Sequence, residues 1–228
     1  MSRAIGILGG MGPAATVDLM GRIIAATPAQ GDAGHLHLLV DSNPAVPDRN
    51  RAIAGEGPSP GPALAAMARG LEAQGAEMLA IACNSAHAWA GEIRAAASVP
   101  LVSMIDATVE AIRRDHPGAR TIGLLAADAC LGAGLYQGPL AQAGFEVLLS
   151  EDQPGFMALV YGVKGGETGA AARAGMAAQA EALAARGAEL IVAACTEVPL
   201  LLGPEESPVP LVDSTAALVA KLVHLAAD

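Results

Sequence analysis

The sequence predicts an α/β protein made of two similar α/β domains, with mainly parallel sheets related by pseudo-two-fold symmetry. Two observations carry this prediction. Short apolar segments typical of buried strands alternate with longer amphipathic segments typical of helices, which is the pattern of parallel sheets covered on both faces. In addition, residues 71–83 (LEAQGAEMLAIAC) and residues 183–195 (LAARGAELIVAAC) agree at seven of thirteen positions.

The internal repeat extends beyond these two segments. Residues 3–8 (RAIGIL) resemble residues 120–125 (RTIGLL), and the sequence Val-Pro-Leu-Val occurs at 99–102 and again at 209–212. Blocks that recur in the same order, with offsets that drift by only a few residues, indicate a duplication. We therefore expect an active site in a cleft between two related halves.

Each predicted strand is a short run of apolar residues, and each predicted helix is longer and has an apolar face. The first half is predicted to contain strands at 4–8, 36–40 and 78–82 and helices at 13–26, 62–74 and 86–97. The second half is predicted to contain strands at 121–125, 146–149 and 190–194 and helices at 135–143 and 169–186. Thr168 is the predicted N-cap of the last helix. Ligands bind beyond the carboxyl ends of such strands, where Cys83 and Cys195 stand.

Composition excludes several classes of function. Of the 228 residues, 53% are hydrophobic and only 2% are aromatic, and the formal net charge is −10. A chain with few aromatic side chains and a negative field is not expected to bind nucleic acid. No apolar run approaches the roughly 18 residues that a membrane span needs, so we expect a cytoplasmic protein. The three cysteines have neither a disulfide nor a zinc pattern, which predicts free thiols and no metal.

A glycine-rich loop at residues 9–16 (GGMGPAAT) follows the first predicted strand. It fits the looser G-x-G-x-x-A form of a dinucleotide-binding turn. However, Pro13 removes a backbone donor, and the acidic residue Asp41 lies further along the chain than that motif requires. The alternative is a tight turn that brings backbone amides to a helix N-terminus, where a carboxylate binds as readily as a phosphate.

The two cysteines at strand ends are the main candidates for chemistry. A single cysteine at the end of a buried strand is more often a small core residue than a reactive one. Here the cysteine recurs in both halves, and small polar residues follow it each time, Asn84-Ser85 in the first and Thr196-Glu197 in the second. A helix N-terminus can lower the pKa of a thiol toward neutrality. One thiol on each side of a cleft would suit the transfer of a proton from one face of a carbon to the other.

Several motifs match a known family across essentially the whole chain. They are GILGGMGPAAT (6–16), VDSNPAVPDR (40–49), ACNSAH (82–87), GLYQ (134–137), YGVKGG (161–166) and ACTEVPLLL (194–202). On these motifs the chain resembles the cofactor-independent aspartate/glutamate racemase superfamily. Glu197 follows Cys195-Thr196 where the glutamate racemase branch typically has a histidine, so the chain resembles the aspartate racemase branch in particular.

The resemblance implies a racemase with no cofactor, an amino acid as its small-molecule substrate, expected to be dicarboxylic, and a homodimer. In such folds the last strand of each half crosses to the other domain, which implies hinges near Pro100 and Pro210. The helix at 215–227 would then pack on the first domain. The implied domains are residues 1–98 with 208–228, and residues 99–207.

The resemblance also assigns roles to individual residues. Cys83 and Cys195 are implied as the catalytic pair, one removing the Cα proton while the other delivers a proton to the opposite face. Arg49 and Lys164 match basic positions that bind the side-chain carboxylate of a dicarboxylic amino acid. The other implied substrate-binding residues are Met11, Asn84, Ser85, Thr196 and Glu197.

Some assignments stay open at this point. His87 lies four residues after Cys83, where it could approach the thiol or be an oriented structural histidine. Glu197 could tune the Cys195 thiol or cap the helix that follows. Cys130 stands where relatives usually have a threonine, and we expect no catalytic role for it. Related enzymes such as maleate isomerase or hydantoin racemase share the fold, and a non-catalytic amino-acid-binding module is the alternative outside enzymes.

Overall fold

The structure, a computed structural model that describes residues 2–227, contains two four-stranded parallel sheets with helices on both faces. The elements of the first half are β1 Ile5–Gly9, α1 Pro13–Ala26, β2 Leu38–Ser42, α2 Arg49–Ile53, α3 Gly61–Ala73, β3 Met78–Ile81, α4 Ala90–Ala96 and β4 Leu101–Val102. The remaining elements are α5 Met104–Asp115, β5 Thr121–Ala126, α6 Asp128–Gly132, α7 Gln137–Gln142, β6 Glu146–Leu149, α8 Gln153–Lys164, α9 Ala170–Ala185, β7 Leu190–Ala194, β8 Leu211–Asp213 and α10 Ser214–Ala227. Short 3-10 helices occupy Asp32–Gly34, Ser85–Trp89 and Val198–Leu200.

The two sheets have equivalent topologies. The strand order is β2-β1-β3-β4 in the first sheet and β6-β5-β7-β8 in the second, and every pairing is parallel. A cluster of buried apolar side chains covers each face of each sheet. This architecture confirms the predicted fold of two similar α/β halves.

The last strand of each half does not cross to the other domain, so that expectation is wrong. Strand β4 pairs with β3 in the first sheet, and β8 pairs with β7 in the second. The chain crosses one element later, because the helices that follow these strands pack on the opposite sheet. Ile105 and Ile112 of α5 join the core of β5 and β7, and Leu218 and Leu222 of α10 join the core of β1 and β3.

The domain bounds of 1–98 with 208–228 and of 99–207 stay a prediction. Several element bounds shift from those predicted. The helix expected at 86–97 is divided into a 3-10 turn and α4. The strand expected at 36–40 is β2, which lies two residues later, at Leu38–Ser42. Thr168 is not an N-cap, since Gly169 occupies that position and no side chain caps α9. Helices α5 and α8 were not predicted.

The turn after β1 fixes the position of the glycine loop. Gly10 has a φ of +90°, and a Cβ added there would lie 2.4 Å from the carbonyl carbon of Asn43. Only glycine fits such a backbone without strain. The hydroxyl of Thr16 in α1 accepts a hydrogen bond from the amide of Gly10 at 2.8 Å. This bond attaches the loop to the first turn of the helix that follows it.

Candidate active site

A narrow cleft lies between the two halves, beyond the carboxyl ends of β3 and β7. All nine residues predicted from the sequence line it: Met11, Arg49, Cys83, Asn84, Ser85, Lys164, Cys195, Thr196 and Glu197. Asn50, Ala127 and Val160, which sequence reasoning missed, complete the lining.

The two thiols come from equivalent places in the two halves. Cys83 follows β3 and Cys195 follows β7. These two strands hold the same position, third in the strand order of their sheets. Both thiols are free, and the residues are 6% and 5% exposed, respectively. Because both side chains line one cleft, a ligand bound there would lie against a thiol from each half.

Glu197 determines the electrostatics around Cys195. The Cys195 thiol donates to Glu197 Oε2 at 3.0 Å, and the Thr196 hydroxyl donates to the same oxygen at 3.2 Å. Burial, together with the charge of Glu197 and the hydrogen bond to it, raises the pKa of Cys195. The Cys195 side chain is therefore a protonated thiol at neutral pH, held as a hydrogen-bond donor.

Lys164 brings a positive charge from α8 to the same carboxylate. Its Nζ lies 3.5 Å from Glu197 Oε1. Burial lowers the pKa of Lys164, but the negative charge of Glu197, together with those of Cys83 and Cys195 in their thiolate forms, outweighs burial and raises it above the ordinary value. The ammonium group therefore stays charged, and its field acts on both thiols.

Arg49 is a buried cation held by backbone oxygens. Its Nη2 donates to the carbonyl of Met11 at 3.1 Å and its Nη1 donates to that of Pro47 at 3.1 Å, while Nε has no partner. Lys164 Nζ also donates to the Met11 carbonyl, at 3.4 Å. Two cations from opposite halves thus converge on the glycine loop. Met11 contributes this carbonyl, while its side chain belongs to the core of the first half.

His87 is a structural residue, which decides between the two roles left open by the sequence. Its Nδ1 lies 3.0 Å from the carbonyl oxygen of Cys83, and its Nε2 accepts from the amide of Met104 at 3.1 Å. Burial lowers the pKa of His87 to about 4, so the ring is neutral. It connects the turn after β3 to the start of α5 and does not line the cleft.

Cys130 also lies outside the cleft lining. It is fully buried in the core of the second half, and burial raises the pKa of its thiol to about 12. Its geometry agrees with the expectation that it takes no part in the chemistry.

Asn50 connects the two halves beside the cleft. Its Nδ2 donates to the hydroxyl of Tyr161 at 2.9 Å, and its Oδ1 accepts from the amide of Ala129 at 2.9 Å. These partners lie 111 and 79 residues further along the chain. No local sequence signal could have identified such contacts.

Two structural findings bear on possible ligands and location. Within residues 2–227, no group of three or more His, Cys, Asp or Glu side chains is arranged to hold a metal ion. None of the helices in that range is long and apolar enough to cross a membrane.

Comparison with known proteins places this site in a family. Residues 8–222 match the model of the Asp/Glu/Hydantoin racemase family. The broad-specificity amino-acid racemase RacX of Bacillus subtilis is 28% identical over 224 residues, which is 96% of each chain. The structure of Picrophilus torridus aspartate racemase superposes with a TM-score of 0.90 at 29% identity, covering 99% of this chain and 94% of that one.

A more distant structure shows how widely the fold is shared. Glutamate racemase from Francisella tularensis, solved with D-glutamate, gives a TM-score of 0.72 at 17% identity and covers 98% of this chain and 81% of that one. At this identity the likeness concerns the fold alone.

The family match extends over nearly the whole chain and includes both halves of the cleft. This places the protein among the racemases, a class of isomerases that act on amino acids. The chain belongs to the Asp/Glu/Hydantoin racemase family.

Proposed function

We propose that this chain is a racemase that works without pyridoxal phosphate and interconverts the enantiomers of aspartate, or of aspartate and glutamate. Cys83 and Cys195 are its two acid–base groups. One observation carries the proposal: both thiols, one from each half, line a single cleft. A thiolate on one face of Cα removes the proton, and a thiol on the other face donates one to the carbanion-like intermediate.

The raised pKa of Cys195 assigns it the role of acid in one direction of the reaction. Cys83 then acts as the base for that direction, and the two residues exchange roles in reverse. Asn84, Ser85 and Thr196 hold the α-carboxylate and the amino group, and nearby backbone amides stabilise the developing charge.

A dicarboxylic substrate fits the charges of the cleft. The chain has a formal net charge of −10, so a substrate with two carboxylates needs local cations to bind. Arg49 and Lys164 provide two positive charges at the glycine loop, and Glu197 offsets one of them. The excess positive charge suits one distal carboxylate. The similarity to an aspartate racemase over nearly the whole chain supports the same choice.

The direct test is chiral chromatography of aspartate and glutamate after incubation with purified protein, with no pyridoxal phosphate or metal added. We expect inversion of aspartate in both directions. Activity on maleate or a 5-substituted hydantoin in place of amino acids would assign a different member of the family. Binding of amino acids without any turnover would indicate a non-catalytic module. A homodimer and a cytoplasmic location remain further predictions.

The two thiols can be separated by substitution. Cys83→Ser and Cys195→Ser should each abolish racemisation, because a serine hydroxyl is too weak a base to replace a thiolate. Each variant should still exchange the Cα proton of one enantiomer with deuterium, and the two variants should prefer opposite enantiomers. Cys130→Ser is the matched control and should keep most activity. Full racemisation by either folded cleft variant would rule out the two-cysteine mechanism.

A further inference from the structure

A buried series of hydrogen bonds connects the segment after Cys83 to the strand before Cys195. The hydroxyl of Tyr136 donates to Asn84 Oδ1 at 2.6 Å, and Asn84 Nδ2 donates to Ser214 Oγ at 3.0 Å. The Ser214 hydroxyl in turn donates to the carbonyl of Ala193 at 2.7 Å. Asn84, Tyr136 and Ser214 are all buried, so water does not compete for these bonds.

The direction of each bond in the series is determined. The Ser214 hydroxyl donates its hydrogen to the Ala193 carbonyl. Its oxygen must therefore accept a hydrogen bond from the amide nitrogen of Asn84. The other end of the amide is then the oxygen, which accepts from Tyr136. Burial raises the pKa of Tyr136, so the phenol is neutral and keeps the proton that it donates. The Asn84 amide therefore has one orientation.

The series joins four segments that are far apart in the chain. Asn84 follows Cys83 directly, and Ala193 lies in β7 two residues before Cys195. Ser214 is the first residue of α10, and Tyr136 comes just before α7 in the second half. A continuous path of covalent and hydrogen bonds from one thiol to the other thus runs through Asn84, Ser214 and Ala193.

We infer that Tyr136 and Ser214 are positioning residues that fix the separation of the two thiols. This inference rests on the proposed two-cysteine racemisation. Inversion requires both sulfur atoms to face one Cα from opposite sides at the same time, and small errors in such geometry cost rate steeply. Exchange of the Cα proton without inversion requires only one well-placed thiol. Removing hydrogen bonds from this series should therefore impair inversion more than it impairs exchange.

The test compares Tyr136→Phe and Ser214→Ala with a control, Ser150→Ala. Ser150 donates to Gln179 Oε1 at 2.6 Å, outside the cleft, so its loss matches the loss at Ser214 without touching the series. The reaction is followed in deuterium oxide, with aspartate as substrate. Deuterium in the recovered enantiomer reports exchange without inversion, and deuterium in the opposite enantiomer reports inversion.

We expect the kcat for inversion to fall about tenfold or more in Tyr136→Phe and Ser214→Ala, with KM within about twofold of the wild type. The ratio of exchange to inversion should rise about threefold or more, while Ser150→Ala keeps the wild-type ratio. Because both quantities are measured in the same sample, the ratio does not depend on how much of a variant is folded. A purely structural role would lower kcat and leave the ratio unchanged.

An unchanged ratio in Tyr136→Phe and Ser214→Ala would overturn the positioning role. Absence of any inversion by the wild-type protein would instead overturn the proposed function, and the inference with it. The two failures are therefore distinguishable in one set of measurements.

Discussion

Acidification should destabilise this protein through His87. The pKa of His87 falls from its ordinary 6.5 to about 4 because the ring is buried, and this effect outweighs the hydrogen bonds of Nδ1 with the carbonyl oxygens of Cys83 and Asn84, which raise it. Between these two values the unfolded chain binds a proton that the folded protein does not, so stability is present above pH 6.5 and is lost as the pH falls. Each unit of pKa is worth about 1.4 kcal/mol. The loss should therefore be about 2 kcal/mol near pH 5 and about 3 kcal/mol near pH 4.

The assay is urea unfolding followed by circular dichroism at about pH 7.5 and about pH 5. His87→Gln is the informative variant, because its amide offers a donor and an acceptor but does not titrate. All other histidines and carboxyl groups are common to both proteins, so the difference between the two pH dependences isolates His87. The wild type should lose about 2 kcal/mol more than the variant over this range. Parallel losses in the two proteins would show that His87 is not held neutral by the fold.

Three further predictions follow from the cleft and the glycine loop. Arg49→Ala and Lys164→Ala should reduce activity on aspartate far more than any activity on uncharged amino acids, because the partner that they lose is the side-chain carboxylate; equal losses in a substrate panel would contradict this role. Glu197→Gln should lower the pKa of the Cys195 thiol, so alkylation by iodoacetamide should extend to lower pH, and an unchanged pH profile would count against the assignment. Gly10→Ala should lower the free energy of unfolding by about 2 kcal/mol or more, since its φ of +90° strains any other residue, and denaturant titration would measure the loss.

The sequence predicted the lining of the cleft well for two reasons. Apolar strands followed at once by Cys-Asn-Ser or Cys-Thr-Glu place these side chains at the carboxyl ends of parallel strands, which is a local pattern. Arg49 and Lys164 were identified through the resemblance to the racemase superfamily. The choice between the two roles open to Glu197, acting on Cys195 or capping a helix, could not be made from the sequence, since it depends on how close the buried carboxylate lies to the thiol.

Contacts between distant parts of the chain were the main failures. Tyr136 and Ser214 meet Asn84 across 52 and 130 residues, and nothing in their own neighbourhoods indicates that partner. The repeated Val-Pro-Leu-Val segment predicts extended backbone, but it cannot say which sheet a short strand joins. The resemblance implied that the last strands cross, but the helices that follow β4 and β8 make the crossing.

The exchange of helices between the two halves affects the order in which the protein can fold during synthesis. One face of the first sheet, with Ile5 and Ile7, is covered partly by α1 and partly by Leu218 and Leu222 of α10. The ribosome makes α10 after all the other elements, so this apolar face lacks part of its cover while the second half is being made. Nascent domains with uncovered apolar surface are prone to aggregation. Translation of the second half therefore sets the interval over which the first half depends on chaperones or on its own solubility.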